Sequence, residues 1–117
     1  MKFIKQVSFL IVLAAMVLFT PLDSSAYNGN ELVQKMREFE KQERGDPSAD
    51  YASSGFYMGY VVGVYEAMRA FFVAPENVTV AQVCSIVGKY LKENPGKWDQ
   101  PANVLVMEAL QKAFPKK

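Results

Sequence analysis

From Asn28 onward the apolar residues recur at helical spacing, and no run alternates with the period of two that a half-buried strand needs. Four segments stand out. In the first, Asn28 and Glu31 form a capping-box pattern, in which each side chain answers a free N–H of the first turn. The helix it opens buries Leu32, Val33, Met36 and Phe39, leaves Lys35, Arg37, Glu40 and Glu43 wet, and ends near Arg44 at Gly45 and Asp46-Pro47. Ser48 is positioned to cap a second, longer helix running to about Ala70. It is apolar on nearly every side, as a central element would be. Thr79 and Gln82 form a second capping box, for a helix from Val80 to about Glu93 that buries Val80, Val83, Cys84, Val87 and Leu91, with Ile86 and Tyr90 flanking. Asn94-Pro95-Gly96 stops it. The last helix starts around Pro101 and ends near Phe114, with Ala102, Leu105, Val106, Ala109, Leu110 and Ala113 inward and a Glu108–Lys112 pair outward. The pattern predicts a small all-α bundle of four helices, or five.

Gly55, Gly59 and Gly63 recur at spacing four in the second helix. Three interior glycines cost roughly 2–3 kcal/mol relative to alanine. Close approach of another backbone would compensate, so the stripe predicts a tight helix crossing, within the chain or between subunits. A membrane span is disfavoured, because the apolar window Gly55–Tyr65 is short and then meets Glu66 and Arg69.

The N-terminus adds an export signal. Lys2 and Lys5 precede an apolar run from Phe9 to Phe19, and Ser24-Ser25-Ala26 offers small residues for cleavage after Ala26. As a helix the run would reach roughly 16 Å, against a hydrocarbon layer of ~30 Å. The expected organisation is a signal peptide over 1–26 and a helical domain over 27–117. Cleavage would remove Lys2, Lys5 and Asp23 and bring the formal charge from +1 to zero. A neutral surface gives little colloidal repulsion, which leaves room for self-association or a protein partner. It gives no basic field for nucleic acid.

Half of the residues are hydrophobic, but there is no histidine and one cysteine. No Ser-His or Cys-His pair can form, nor an imidazole or thiolate metal cluster, nor an internal disulfide. Cys84 lies on an apolar helix face and reads as a small hydrophobe. Glu66 falls about 20° from Gly55 on a helical wheel, which would put a carboxylate on the close-packed seam. It reads as a structural acid paired with Arg69; the rival is a general base with a raised pKa. The turn Lys97-Trp98-Asp99 holds the only tryptophan. That residue either folds over the core or serves as an anchor for a partner, flanked by charge. Gly55, Gly59, Gly63, Glu66, Thr79 and Gln82 are the expected structural residues, and Lys97, Trp98 and Asp99 the expected contacts. No catalytic residue, cofactor or metal is expected.

The order of these features resembles a known family. Gly59-Tyr60-Val61-Val62-Gly63-Val64-Tyr65-Glu66-Ala67 is similar to the GYVxGVxDA segment of the Rap/Tai immunity proteins. Pro75-Glu76-Asn77-Val78-Thr79 with Gln82 and Lys89-Tyr90-Leu91 resembles their P-x-x-VT-x-x-Q … YL stretch. Asn94-Pro95, Ala102, Glu108-Ala109-Leu110 and Ala113-Phe114-Pro115 resemble the closing hP … A … EAL … AFP. The resemblance covers about residues 30–115. It implies an all-helical periplasmic protein, often dimeric, that binds and blocks a peptidoglycan amidase effector delivered by type VI secretion. Where that family usually carries cysteines this chain has Tyr57, Val73 and Lys116, so the family disulfides are absent. A general periplasmic interaction or chaperone-like protein without enzymatic activity is the alternative.

Overall fold

The computed structural model describes residues 27–117, together with 5–8 and 11, which are helical. The cleavage site after Ala26 and most of the expected signal peptide lie outside the described residues. The described domain is built from α1 (Gly29–Glu43), α2 (Tyr51–Ala67), α3 (Val80–Glu93) and α4 (Ala102–Ala113), with single 3-10 turns at Arg69–Phe71 and Pro95–Lys97. No helix among the described residues is long and apolar enough to cross a membrane.

Both capping boxes form. The Asn28 side chain accepts the Glu31 N–H at 3.1 Å while the Glu31 carboxylate accepts the Asn28 N–H at 2.9 Å. Thr79 and Gln82 repeat the exchange at 3.1 and 2.8 Å. Gly45 closes α1 in the left-handed conformation, φ 71°, where an L side chain would be strained. The cap of α2 differs from expectation. Asp50 accepts the N–H groups of Ala52 and Ser53, and these bonds, with the Ser53 N–H foremost, hold its carboxyl below the usual range. Ser48 instead donates its N–H and hydroxyl to Asp46 inside the turn, at 2.9 and 2.7 Å. α2 also stops at Ala67, three residues short of expectation.

Helix α2 packs against α1, α3 and α4, as each helix packs against the other three, and buries one side only. Its inner face carries Ser54, Tyr57, Val61 and Tyr65. These pack with Leu32, Met36, Val87, Leu91, Leu105 and Leu110 into one core. Tyr57 is fully buried and its hydroxyl donates to the Cys84 carbonyl at 2.7 Å, so its polar atom is satisfied. The remaining expected core positions hold with two exceptions. Val80 is 49% exposed, and Ala113 also faces outward.

The glycine stripe makes no helix crossing within the described chain, which removes one of the two expected alternatives. Gly55, Gly59 and Gly63 are exposed, and a Cβ built on any of them would meet no atom within 4 Å. The wheel explains this: Tyr57, Val61 and Tyr65 take the core side of α2, and the glycines fall on the opposite side. Among the described residues no helix crosses there. The close approach sits at Gly29 instead. Its backbone N–H donates to the Gln100 carbonyl at 2.9 Å, next to Asn30 N–H on the Trp98 carbonyl and Ala102 N–H on the Tyr27 carbonyl. A Cβ at Gly29 would lie 2.8 Å from both Cα and O of Trp98. This backbone ladder fastens the start of the domain to the start of α4.

The C-terminal end is fastened without a disulfide. Val73 N–H donates to the Phe114 carbonyl at 3.0 Å, and the Lys116 ammonium to the Ala70 carbonyl at 3.0 Å. Phe72 is buried between Tyr65 and Phe114, with ring centroids 5.2 and 6.3 Å away.

Candidate functional site

The expected contact turn sits between α3 and α4, where Asn94-Pro95-Gly96 ends one helix and Pro101 begins the next. Its tryptophan folds inward. The indole N–H donates to the Leu91 carbonyl at 2.7 Å, and the Arg37 guanidinium lies 6.0 Å from the ring centroid. The Asn94 side chain donates to the Tyr90 carbonyl at 2.8 Å, so both bonds answer carbonyls at the end of α3. Lys97 bends back as well. Its ammonium reaches the Tyr90 hydroxyl at 3.3 Å and Glu108 at 3.4 Å, and these two partners, Tyr90 first, raise its pKa. Only Asp99 of the three points freely to solvent. The structure therefore brings Lys97, Trp98 and Asp99 into one rigid turn but does not present the indole as a projecting anchor.

Lys97 joins a network that the sequence reading missed. Tyr90 donates its hydroxyl to Glu108, and burial, then this bond, raise the Tyr90 pKa. Glu108 is thus taken by Tyr90 and Lys97 rather than by Lys112, whose ammonium lies 5.9 Å from the Tyr90 ring centroid. The one available signal was that Tyr90 flanks the buried stripe of α3, where a phenol can pack its ring and still reach a polar partner.

Glu66 does not sit on a buried seam. It is exposed and reaches Arg69 at 3.9 Å, both side chains being about 60% exposed. An ion pair in that setting contributes little. No second acid, nucleophile or base is associated with it among these contacts.

Cys84 is fully buried, and burial pushes its thiol from 9.0 up to about 12. A cavity of about 280 Å³ adjoins it, bordered by Met36, Phe39, Gly88 and Lys92. The thiol is held neutral, so it should react with an aromatic disulfide reagent at pH 8 at least ~100-fold more slowly than in denaturant. Equal rates in the two conditions would refute the burial. The sign of the linkage also follows. The folded chain keeps this proton to about 12 while the unfolded chain releases it near 9.0. The stability it contributes is therefore full below pH 9 and is lost as pH rises through that window. No group of three or more potential metal ligands occurs among the described residues.

Exposed apolar side chains gather on one helix face. On the outer side of α2, Tyr51 is 65% exposed and Phe56 48% exposed, beside the bare glycines. Phe56 and Tyr60 stack on each other at 6.2 Å, and both pack tilted against Tyr27, at centroid distances of 5.1 and 5.6 Å. Such a face is suited to another protein surface.

Comparison with known proteins gives one match. A family model described as Rap1a immunity proteins covers residues 28–115, from the N-cap of α1 to the residue after Phe114. No curated protein and no solved structure matches the chain.

Proposed function

Since the chain belongs to the family of Rap1a immunity proteins, we propose that it is an exported inhibitor that protects a cell by binding and sterically blocking a peptidoglycan amidase effector delivered by type VI secretion. The single observation that carries this reading is the family match, which spans the four-helix domain from end to end. The chemistry is consistent with it: the chain has no histidine, its thiol is buried, and its candidate acid Glu66 is solvated beside Arg69. An agent of this kind acts by shape, so it needs rigid elements rather than reactive groups.

In this reading the signal peptide over 1–26 delivers the protein to the periplasm, where the effector meets the wall. The turn carrying Lys97, Trp98 and Asp99 is one assigned contact, with a division of labour: Trp98 fixes the turn and Asp99 with Lys97 meets the effector. The exposed Gly55–Gly59–Gly63 face of α2 is assigned to a second chain, as in the homodimer that the resemblance implies.

The test is a protection assay. An amidase encoded next to this gene is sent to the periplasm, with and without this protein, and wall hydrolysis is measured on purified peptidoglycan. Rescue of growth with stoichiometric loss of amidase activity is expected. Unimpaired hydrolysis with the protein in excess, or wall cleavage by the protein itself, would overturn the proposal.

A further inference from the structure

A cleft runs along the outer side of α3 towards α4, floored in part by the core residues Tyr90 and Ala109. One cavity of about 540 Å³ is lined by Pro75, Val78, Ala81, Ser85, Ile86 and Phe114, among others. A second, of about 440 Å³, is lined by Ile86, Lys89, Tyr90, Ala109, Lys112 and Ala113, with Glu93. Ile86 borders both, and Ala113 and Phe114 are consecutive, so the two cavities adjoin along α3 and are taken together as one groove. Its width has a simple origin: alanine or serine stands at 81, 85, 109 and 113, where larger residues would have closed it. Volumes of this size accommodate two or three side chains of an incoming segment.

The groove has a polarity. Its Val78 end is largely apolar, while its Tyr90 end carries Lys89 and Lys112, with the Lys97 ammonium also 5.9 Å from the Tyr90 ring centroid. Of the two carboxylates there, Glu108 serves Tyr90 and Lys97, while Glu93 makes only an exposed 4.0 Å pair with Lys89 and offsets part of that lysine's charge. Lys112 makes no ion pair among the described residues and rests over the Tyr90 ring, also at 5.9 Å. A cation beside an apolar trough favours a ligand that offers a carboxylate at that end and apolar side chains behind it.

We infer that the α3/α4 groove receives an amphipathic helical segment of the protein partner, with apolar side chains at i, i+3 or i+4, and i+7 in the trough and an acidic residue at Lys112. Occupation by an effector segment rests on the immunity reading; the groove and its chemical preference do not. The groove ends at the network that holds the Lys97–Asp99 turn, so one partner could cover both.

The experiment titrates the exported, 15N-labelled protein with a capped fourteen-residue helical peptide carrying leucines at that spacing and two glutamates at one end. A control peptide has lysines in place of the glutamates. Chemical-shift changes are expected at Ala81, Ser85, Ile86, Ala109 and Ala113, with the acidic peptide at least ~10-fold tighter. Lys112→Glu should reverse the order, and Ala113→Trp, on an exposed position, should abolish binding at unchanged thermal midpoint. Equal affinity for the two peptides, or shifts confined to the outer face of α2, would overturn the inference. The protection assay separates the two proposals. If Lys112→Glu protects cells as well as wild type, the groove is removed and the immunity reading stands. If wild type gives no protection while the peptide preference holds, the reverse is true.

Discussion

Replacing Gly55, Gly59 and Gly63 together with alanine is expected to stabilise the isolated domain, by roughly 2–3 kcal/mol. Each glycine sits inside α2 with nothing within 4 Å of the position a Cβ would take. The added methyls meet no steric cost in the chain, and the unfolded state loses conformational freedom. For a domain of this size the thermal midpoint should rise by roughly 10 °C or more, measurable by circular dichroism. Gly29→Ala is the opposite control. Its Cβ would strike the Trp98 backbone at 2.8 Å, and backbone cannot yield as a side chain can, so a loss of about 1–3 kcal/mol is expected. A lowered midpoint for the triple variant would mean that another element packs on the stripe. The same variant tests the second-chain assignment, because closely approaching backbones would be pushed apart. Stabilisation with loss of self-association in sedimentation would separate the stripe's cost to the fold from its use between molecules.

That the sequence leaves the stripe's side of α2 open shows what a single sequence can carry. Helices α1, α3 and α4 are amphipathic, and their inner faces could be named residue by residue; Leu32, Val33, Met36 and Phe39 are all buried as expected. The two capping boxes fixed the starts of α1 and α3 because the partners lie three residues apart. Helix α2 offers no such handle. It is apolar on nearly every side, so periodicity predicts a central element without saying which side faces the core. The outcome turned on Tyr57, whose hydroxyl finds a buried carbonyl 27 residues away. Glu66 followed the glycines outward for the same reason. The α3/α4 groove was illegible on other grounds: it arises from small residues on two helices facing one another, and neither helix alone distinguishes a small residue that packs from one that leaves space.

The three positions at which the resemblance implies cysteines make a related point. Tyr57 is now core, and Val73 and Lys116 belong to segments joined by hydrogen bonds to Phe114 and Ala70. The described domain thus relies on apolar burial and on backbone ties at both ends, where a small secreted fold commonly relies on covalent staples. The Tyr27–Ala102 ladder does at the start of the domain what the Val73–Phe114 bond does at its end. Both ties lie next to surfaces proposed above to meet a partner, and on that proposal stability and binding are coupled.

That coupling decides what Trp98→Ala will report. The half-buried indole covers the end of α3, donates to the Leu91 carbonyl and sits under Arg37, while the Trp98 carbonyl holds the Asn30 N–H. Truncation removes the ring and one well-placed bond, and a loss of about 2–4 kcal/mol is expected, below the fully buried range because part of the ring is wet. Inhibition will fall too, but a fall by itself would not distinguish a contact from a support. Trp98→Phe keeps most of the packing and drops the indole N–H, so it should recover more than half of the stability. If inhibition recovers with it, Trp98 acts by holding the turn. Asp99→Lys is the complementary change: the residue is exposed and makes no hydrogen bond or ion pair within the described domain, so the thermal midpoint should be unchanged. Amidase inhibition should weaken at least ~10-fold if the turn meets the effector. Full inhibition by Asp99→Lys at normal stability would take the turn out of the interface and leave Trp98 as a purely structural residue, with the α3/α4 groove and the outer face of α2 as the remaining contacts.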